Sequence, residues 1–249
     1  MEELKRLVKL ISDRGSKSYP VINQNDDSSL ETIFFNLIKD GKVLTDEEAA
    51  SVLYDGKKGG SSYRMLKSRV RKKLLNQLYF LEFPESSSGL CHATINECQA
   101  LLYQAQTLIS VSEFKIADKV LDTALQVAKS AELVHMQVRA LELKLDTNLV
   151  NQDKKVFNSQ LQELEALYKI EASERRAVIL YNKARLEVDI NIGARTKFLS
   201  ELPHVIEELR QLWISSKSSR IYNFYHLLNI CYLELSGNYT EIAHTISRG

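Results

Sequence analysis

Helix breakers are scarce along this chain, and that scarcity limits what it can become. Nine glycines and three prolines are spread over 249 residues. A turn-rich β protein needs many more, so the expectation is long helices joined by short loops. From residue 92 onward, candidate turns fall at Ser112-Glu113, Asn151-Gln152-Asp153, Asn191-Ile192-Gly193 and Gly237-Asn238. Their spacing of roughly 40 residues is the period of a helical solenoid. Each unit has room for two helices and reads as a helical hairpin.

The first hairpin carries the clearest pattern. Ala105 lies in its first helix, Phe114 follows the turn, and Ala117, Leu121 and Ala124 line its second helix. The arrangement resembles a tetratricopeptide repeat, in which small residues let antiparallel helices approach closely. The last unit repeats the turn as Gly237-Asn238-Tyr239. The middle units keep apolar stripes, through Phe157, Leu161, Leu164 and Leu167 and through Leu202, Ile206, Leu209 and Leu212, with Pro203 in a first turn that tolerates it. The resemblance covers about 92–249 and implies an all-α, right-handed α-solenoid of TPR-like hairpins. The period exceeds the usual ~34 residues, so longer helices are expected. No capping element is visible near Gly249, and the repeats are expected to continue beyond it.

A small helical domain over 1–84 is expected to precede the repeats. Leu4, Leu7, Val8, Leu10 and Ile11 recur at helical spacing, as do Ile33, Phe34, Leu37 and Ile38. Asp40-Gly41 stops the second helix. Thr45-Asp46-Glu47-Glu48 is a capping box that opens a third. Ser61 or Ser62 should cap a fourth, running to about Phe83 before Pro84 and Ser86-Ser87-Ser88-Gly89 break the pattern. The domain boundary is expected there, with the repeats over 90–249.

That fourth helix is basic. No acidic residue lies between Gly56 and Leu81. Arg64, Lys67, Arg71 and Lys72 are candidate contacts for nucleic acid or another anion. Arg64, Lys67 and Arg71 share a face, and Ser61-Ser62-Tyr63 sit at the end where free amides can hold an anion. Residues 45–81 resemble a helix-turn-helix, and the order resembles bacterial transcription activators with a winged helix before a tetratricopeptide-like domain. The loop at 55–60 is longer than the usual turn, and no wing follows Leu81. The structural alternative is a helix that docks Leu66, Val70, Leu74, Leu78 and Leu81 on the repeats. Residues 30–83 as a whole resemble the N-terminal segment of a group of uncharacterised bacterial repeat proteins, sharing the Thr-Asp-Glu-Glu-Ala-Ala entry, a tyrosine before the loop and the Leu-Tyr-Phe-Leu-Glu-Phe ending. That resemblance implies no activity.

Charge and chemistry narrow the function. The formal net charge is +1, so a nucleic-acid case rests on the local patch alone. Three cysteines, Cys91, Cys98 and Cys231, close no disulfide framework and suggest a reducing compartment. No apolar run reaches about 18 residues, and the start lacks a signal peptide, so a cytoplasmic protein with no membrane partner is expected. Cys91-His92 and Cys98 lack the paired spacing of a zinc site. There is no nucleophile elbow and no phosphate-binding glycine loop. The reading is therefore not an enzyme, without cofactor or metal. Tyr222, Phe224, Tyr225 and Tyr232 crowd one helix, and Trp213, Tyr222, Tyr225 and Tyr232 form a candidate partner groove. The expected function is a protein- or peptide-binding scaffold or adaptor, with homo-oligomers allowed. The alternative is a transcriptional regulator that binds DNA through 61–81 and uses the repeats as sensor or dimerisation module.

Overall fold

A computed structural model describes residues 1–15, 29–54, 60–78, 81, 87–151, 154–190, 199–239 and 241–242. Among them are ten helices and no strand; the one extended pairing is an isolated bridge between Gly15 and Leu81. The chain divides into two compact units, Met1–Asn96 and Glu97–Gly249.

The N-terminal unit is built from α1 (Glu2–Arg14), α2 (Leu30–Lys39), α3 (Asp46–Leu53) and α4 (Ser61–Gln77). The starts of α2 and α3 have a local cause. Ser29 accepts from the Glu31 amide at α2. At α3, Thr45 Oγ1 accepts from the Glu48 amide at 3.2 Å while the Glu48 carboxylate accepts from the Leu44 and Thr45 amides, closing the capping box. Helix α2 ends in a Schellman motif: Gly41 N–H donates to Ile38 O and Lys42 N–H to Leu37 O. Gly41 has φ 69°, where a glycine avoids the Cβ penalty. Neither Ser61 nor Ser62 caps α4; Gly60 is its N-cap, without a side-chain bond, and the helix ends at Gln77 rather than Phe83. Leu66, Val70 and Leu74 are buried with Leu4, Val8, Phe34, Phe35 and Ala50. These three members of the leucine row therefore dock on α1–α3 within their own unit, where the sequence suggested the repeats as the docking surface.

The C-terminal unit takes in most of α5 (Ser87–Ser110), then α6 (Phe114–Ser130), α7 (Val134–Asn151), α8 (Lys154–Ile190), α9 (Leu202–Ser216) and α10 (Ser219–Leu235). The first hairpin forms as its small residues require. Ala105, Ala117 and Ala124 are fully buried, and Cys98 Sγ, also buried, donates to Ala124 O at 3.6 Å. Tight turns follow α5 and α6, with Ser112 at φ 63° and Glu132 at φ 53°. Both are closed by Schellman hydrogen bonds, Glu113 N–H to Leu108 O and Leu133 N–H to Ala128 O.

One expected hairpin is absent. Residues 154–190 form a single 37-residue helix rather than two. The stretch contains no glycine or proline, so nothing in it stops the helix. Its N-terminal half packs Leu164 on Val138 and Leu141 of α7. Its C-terminal half packs Ala177, Leu180, Ala184 and Val188 on α9 and α10. Leu161, expected in the buried stripe, is on the surface, 36% exposed. The candidate turn at Asn191-Ile192-Gly193 lies outside the described residues, as do Gln152 and Asp153. Pro203 sits in the first turn of α9 as anticipated.

Candidate functional site

The basic helix is met by carboxylates placed at helix starts. Acidic residues favour the positive end of a helix, and the first turns of α1, α2 and α3 all contain them. In the folded unit those same residues pair with α4. Arg71 Nη2 reaches Glu3 Oε1 at 2.8 Å, Lys67 Nζ reaches Asp46 Oδ1 at 2.8 Å, and Arg69 lies 3.1 Å from Glu31. Lys73 pairs with Glu31 as well. Of the candidate anion contacts, Lys67 and Arg71 are thus engaged within the chain. Arg64 and Lys72 are exposed and make no ion pair among the described residues.

Asp46 is the centre of this network. Tyr63 Oη donates to its Oδ1 at 2.7 Å and Lys67 Nζ to its Oδ2 at 2.9 Å. Partial burial works against the carboxylate, but the hydrogen bonds from Lys67 and Tyr63 outweigh it and bring Asp46 down to about 2. Burial, and then the bond to this carboxylate, push the Tyr63 phenol up. A surface depression lined by Asp46, Glu47, Tyr63, Arg64 and Lys67 lies here. Its carboxylate is ionised far below neutral pH and already receives three donors, from Tyr63, Lys67 and the N-terminal ammonium at 3.4 Å, which suits a clasp rather than a proton acceptor.

The clasp sets a pH dependence with a definite sign. A depressed carboxyl pKa contributes stability that is present above the unfolded value near 4 and is lost as pH falls toward 2. Since the Asp46 side chain is 37% exposed, screening holds the contribution to about 1 kcal/mol. Urea unfolding at pH 7 should find Asp46→Asn weaker than wild type by that amount, and the gap should close near pH 2. A gap independent of pH would show that the ion pair is not its source.

The second group of candidates lies on α9 and α10. Ser218 caps α10, accepting from the Ile221 amide, and is itself held by the buried Glu174 carboxylate at 2.6 Å. Lys217, at φ 56°, reverses the chain between the two helices. This geometry brings Trp213 of α9 over α10. Its ring centroid lies 5.0 Å from Tyr222 and 6.1 Å from Tyr225. His226 stacks on Tyr222 at 5.6 Å. Trp213, Tyr222 and Tyr225 are each half-buried, so part of every ring faces outward. Tyr232 packs on the same core but makes no ring contact with them among the described residues.

The rings extend further than the sequence indicated. Tyr181 of α8 stacks on Phe224 at 4.5 Å. Three cations lie over the cluster: Lys217 on Trp213, Arg220 on Phe224 and Arg185 on Tyr181, each about 6 Å from a centroid. No local pattern in the sequence announces Tyr181, since it comes from a different helix. Ile214 and Leu227, on the same two helices as the rings, are also exposed.

Cys91 is exposed and Cys98 buried. Among the described residues no group of three or more His, Cys, Asp and Glu side chains is arranged to hold a metal ion, and no helix is long and apolar enough to cross a membrane. Comparison with family models, curated proteins and solved structures returns no match.

Proposed function

We propose that this chain is a non-enzymatic scaffold or adaptor, working in the cytoplasm, that holds a protein or peptide on the helical surface of its C-terminal unit. The observation that carries the reading is the half-buried cluster of Trp213, Tyr222 and Tyr225. Tryptophan and tyrosine are typical anchors of interfaces because they add large rigid area at small entropic cost. The cations over the rings suit a partner segment with an apolar anchor beside carboxylates. Helices α5–α10, stacked in sequence, support the reading of this unit as a TPR-like α-solenoid, in which one long helix replaces a hairpin. The regulator reading would require Lys67 and Arg71 to meet phosphates. Both cations already serve Asp46 and Glu3, which favours a structural role for α4.

Trp213 is the single tryptophan, so its fluorescence reports on this site alone. Titration with a protein recovered by affinity capture should shift the emission to the blue as water leaves the ring. Binding with no change in Trp213 emission would place the partner elsewhere and overturn this assignment.

A further inference from the structure

The long helix α8 buries Leu164 against α7 and its C-terminal half against α9 and α10, and between these contacts it leaves a row exposed among the described residues. In that row only the Tyr168 hydroxyl is engaged, donating to Glu142 of α7 at 3.0 Å, and Arg175 pairs with Glu171 of its own helix. Leu164, Glu174, Ala177, Leu180, Ala184 and Val188 face the core. On another side run Leu161, Tyr168, Ala172, Arg175, Ile179 and Leu186, all exposed. Leu161 and Tyr168 are 36% and 43% exposed, Ile179 and Leu186 59% and 60%. At 3.6 residues per turn these six positions stay within about 40° of one line along the helix. Four large apolar side chains in one exposed row exceed the scattered singles expected on a surface.

The order of the row says what covers it. Leaving aside Glu165 and Lys183, which flank the same line, successive members are 7, 4, 3, 4 and 7 positions apart, so their spacing reads the same in both directions. We infer that α8 pairs antiparallel with α8 of a second copy of this chain, about a two-fold axis between Ala172 and Arg175. Leu161 then meets Leu186 of the other copy, Tyr168 meets Ile179, and small Ala172 lies at the crossing, opposite Arg175. Such an isologous contact uses one surface twice and closes on itself as a dimer.

The charges obey the same symmetry. From 161 to 172 the helix carries Glu163, Glu165 and Glu171 against Lys169. From 175 to 186 it carries Arg175, Arg176, Lys183 and Arg185 and no acid. Antiparallel pairing sets acid on base and brings Glu165 within a turn of Lys183. Parallel pairing sets like on like and is disfavoured. Near the axis, where two Arg175 side chains approach, each is already neutralised by Glu171 at 2.8 Å. This interface is independent of the aromatic cluster.

Sedimentation equilibrium of the full chain at low salt, over a range of concentrations, tests the pairing. The wild type should sediment as a monomer–dimer equilibrium, and Ile179→Glu with Leu186→Glu should sediment as a monomer with unchanged helical circular dichroism. Glu165→Lys alone and Lys183→Glu alone should each weaken the dimer at least about tenfold by setting like charges together, and the double exchange should restore it. Both positions are exposed, so this charge exchange decides the matter even if the apolar variant fails to fold. A wild type that stays monomeric up to about 1 mM, or a charge exchange that fails to restore the dimer, would overturn the proposal.

Discussion

Replacing Phe34 by alanine should lower the unfolding free energy of the N-terminal unit by about 3–5 kcal/mol, the range for deleting a fully buried aromatic side chain. Phe34 is 0% exposed. Its ring meets Tyr63 edge-on at a centroid distance of 5.7 Å, and its core neighbours come from α1, α2, α3 and α4 together. No single helix can shift to refill the space, because each is also held to α4: α1 through Glu3, α2 through Glu31 and α3 through Asp46. The loss should therefore lie near the full cavity cost. Urea unfolding followed by circular dichroism measures it. A loss under about 1 kcal/mol would mean that the four helices do not share this core.

Lys144→Ala should cost about 2–3 kcal/mol in the C-terminal unit. Lys144 is 6% exposed, an uncommon place for an ammonium group. It survives there because α6 presents two carboxylates one turn apart: Asp118 lies 2.8 Å and Asp122 2.6 Å from Nζ. Burial opposes the charge, but the two aspartates outweigh it and raise the Lys144 pKa. Removing the lysine leaves the aspartates facing each other beside a void. Breaking a fully buried pair costs about 3–5 kcal/mol, and the exposure of Asp122 lowers the expectation here. Adding Asp118→Asn to Lys144→Ala should recover part of the loss by removing one of the two like charges. No recovery would show that the cost is packing alone.

Local chemistry was readable in the residues, and long-range partnership was not. The Thr45–Glu48 capping box, the stop at Asp40-Gly41 and the buried alanines at 117 and 124 all appear where the pattern placed them, since each depends on neighbours a few positions away. The turn at Ala131–Leu133 gave no signal, because Glu132 takes the left-handed conformation with no glycine to mark it. The period of roughly 40 residues suggested a hairpin at 154–190, but a period counts turns and does not create one. In the site, the cations of α4 were visible, whereas Glu3, 68 positions from Arg71, could be matched to it only through the fold. Tyr222 and Tyr225 share a helix and were legible together. Their link to Trp213 depends on the reversal at Lys217, and the ring of Tyr181 comes from another helix altogether.

The measurement that bears most directly on the scaffold reading is affinity capture from an extract of the native cell, with mass spectrometry and with a nuclease-treated arm. The wild-type chain should retain one or more proteins that survive nuclease and are lost from Trp213→Ala, Tyr222→Ala, a variant whose melting temperature should stay close to wild type because both rings are only half-buried. Proteins that vanish on nuclease treatment and from Arg64→Glu, Lys72→Glu, while Trp213→Ala, Tyr222→Ala retains them, would contradict the scaffold reading and establish binding through nucleic acid on α4.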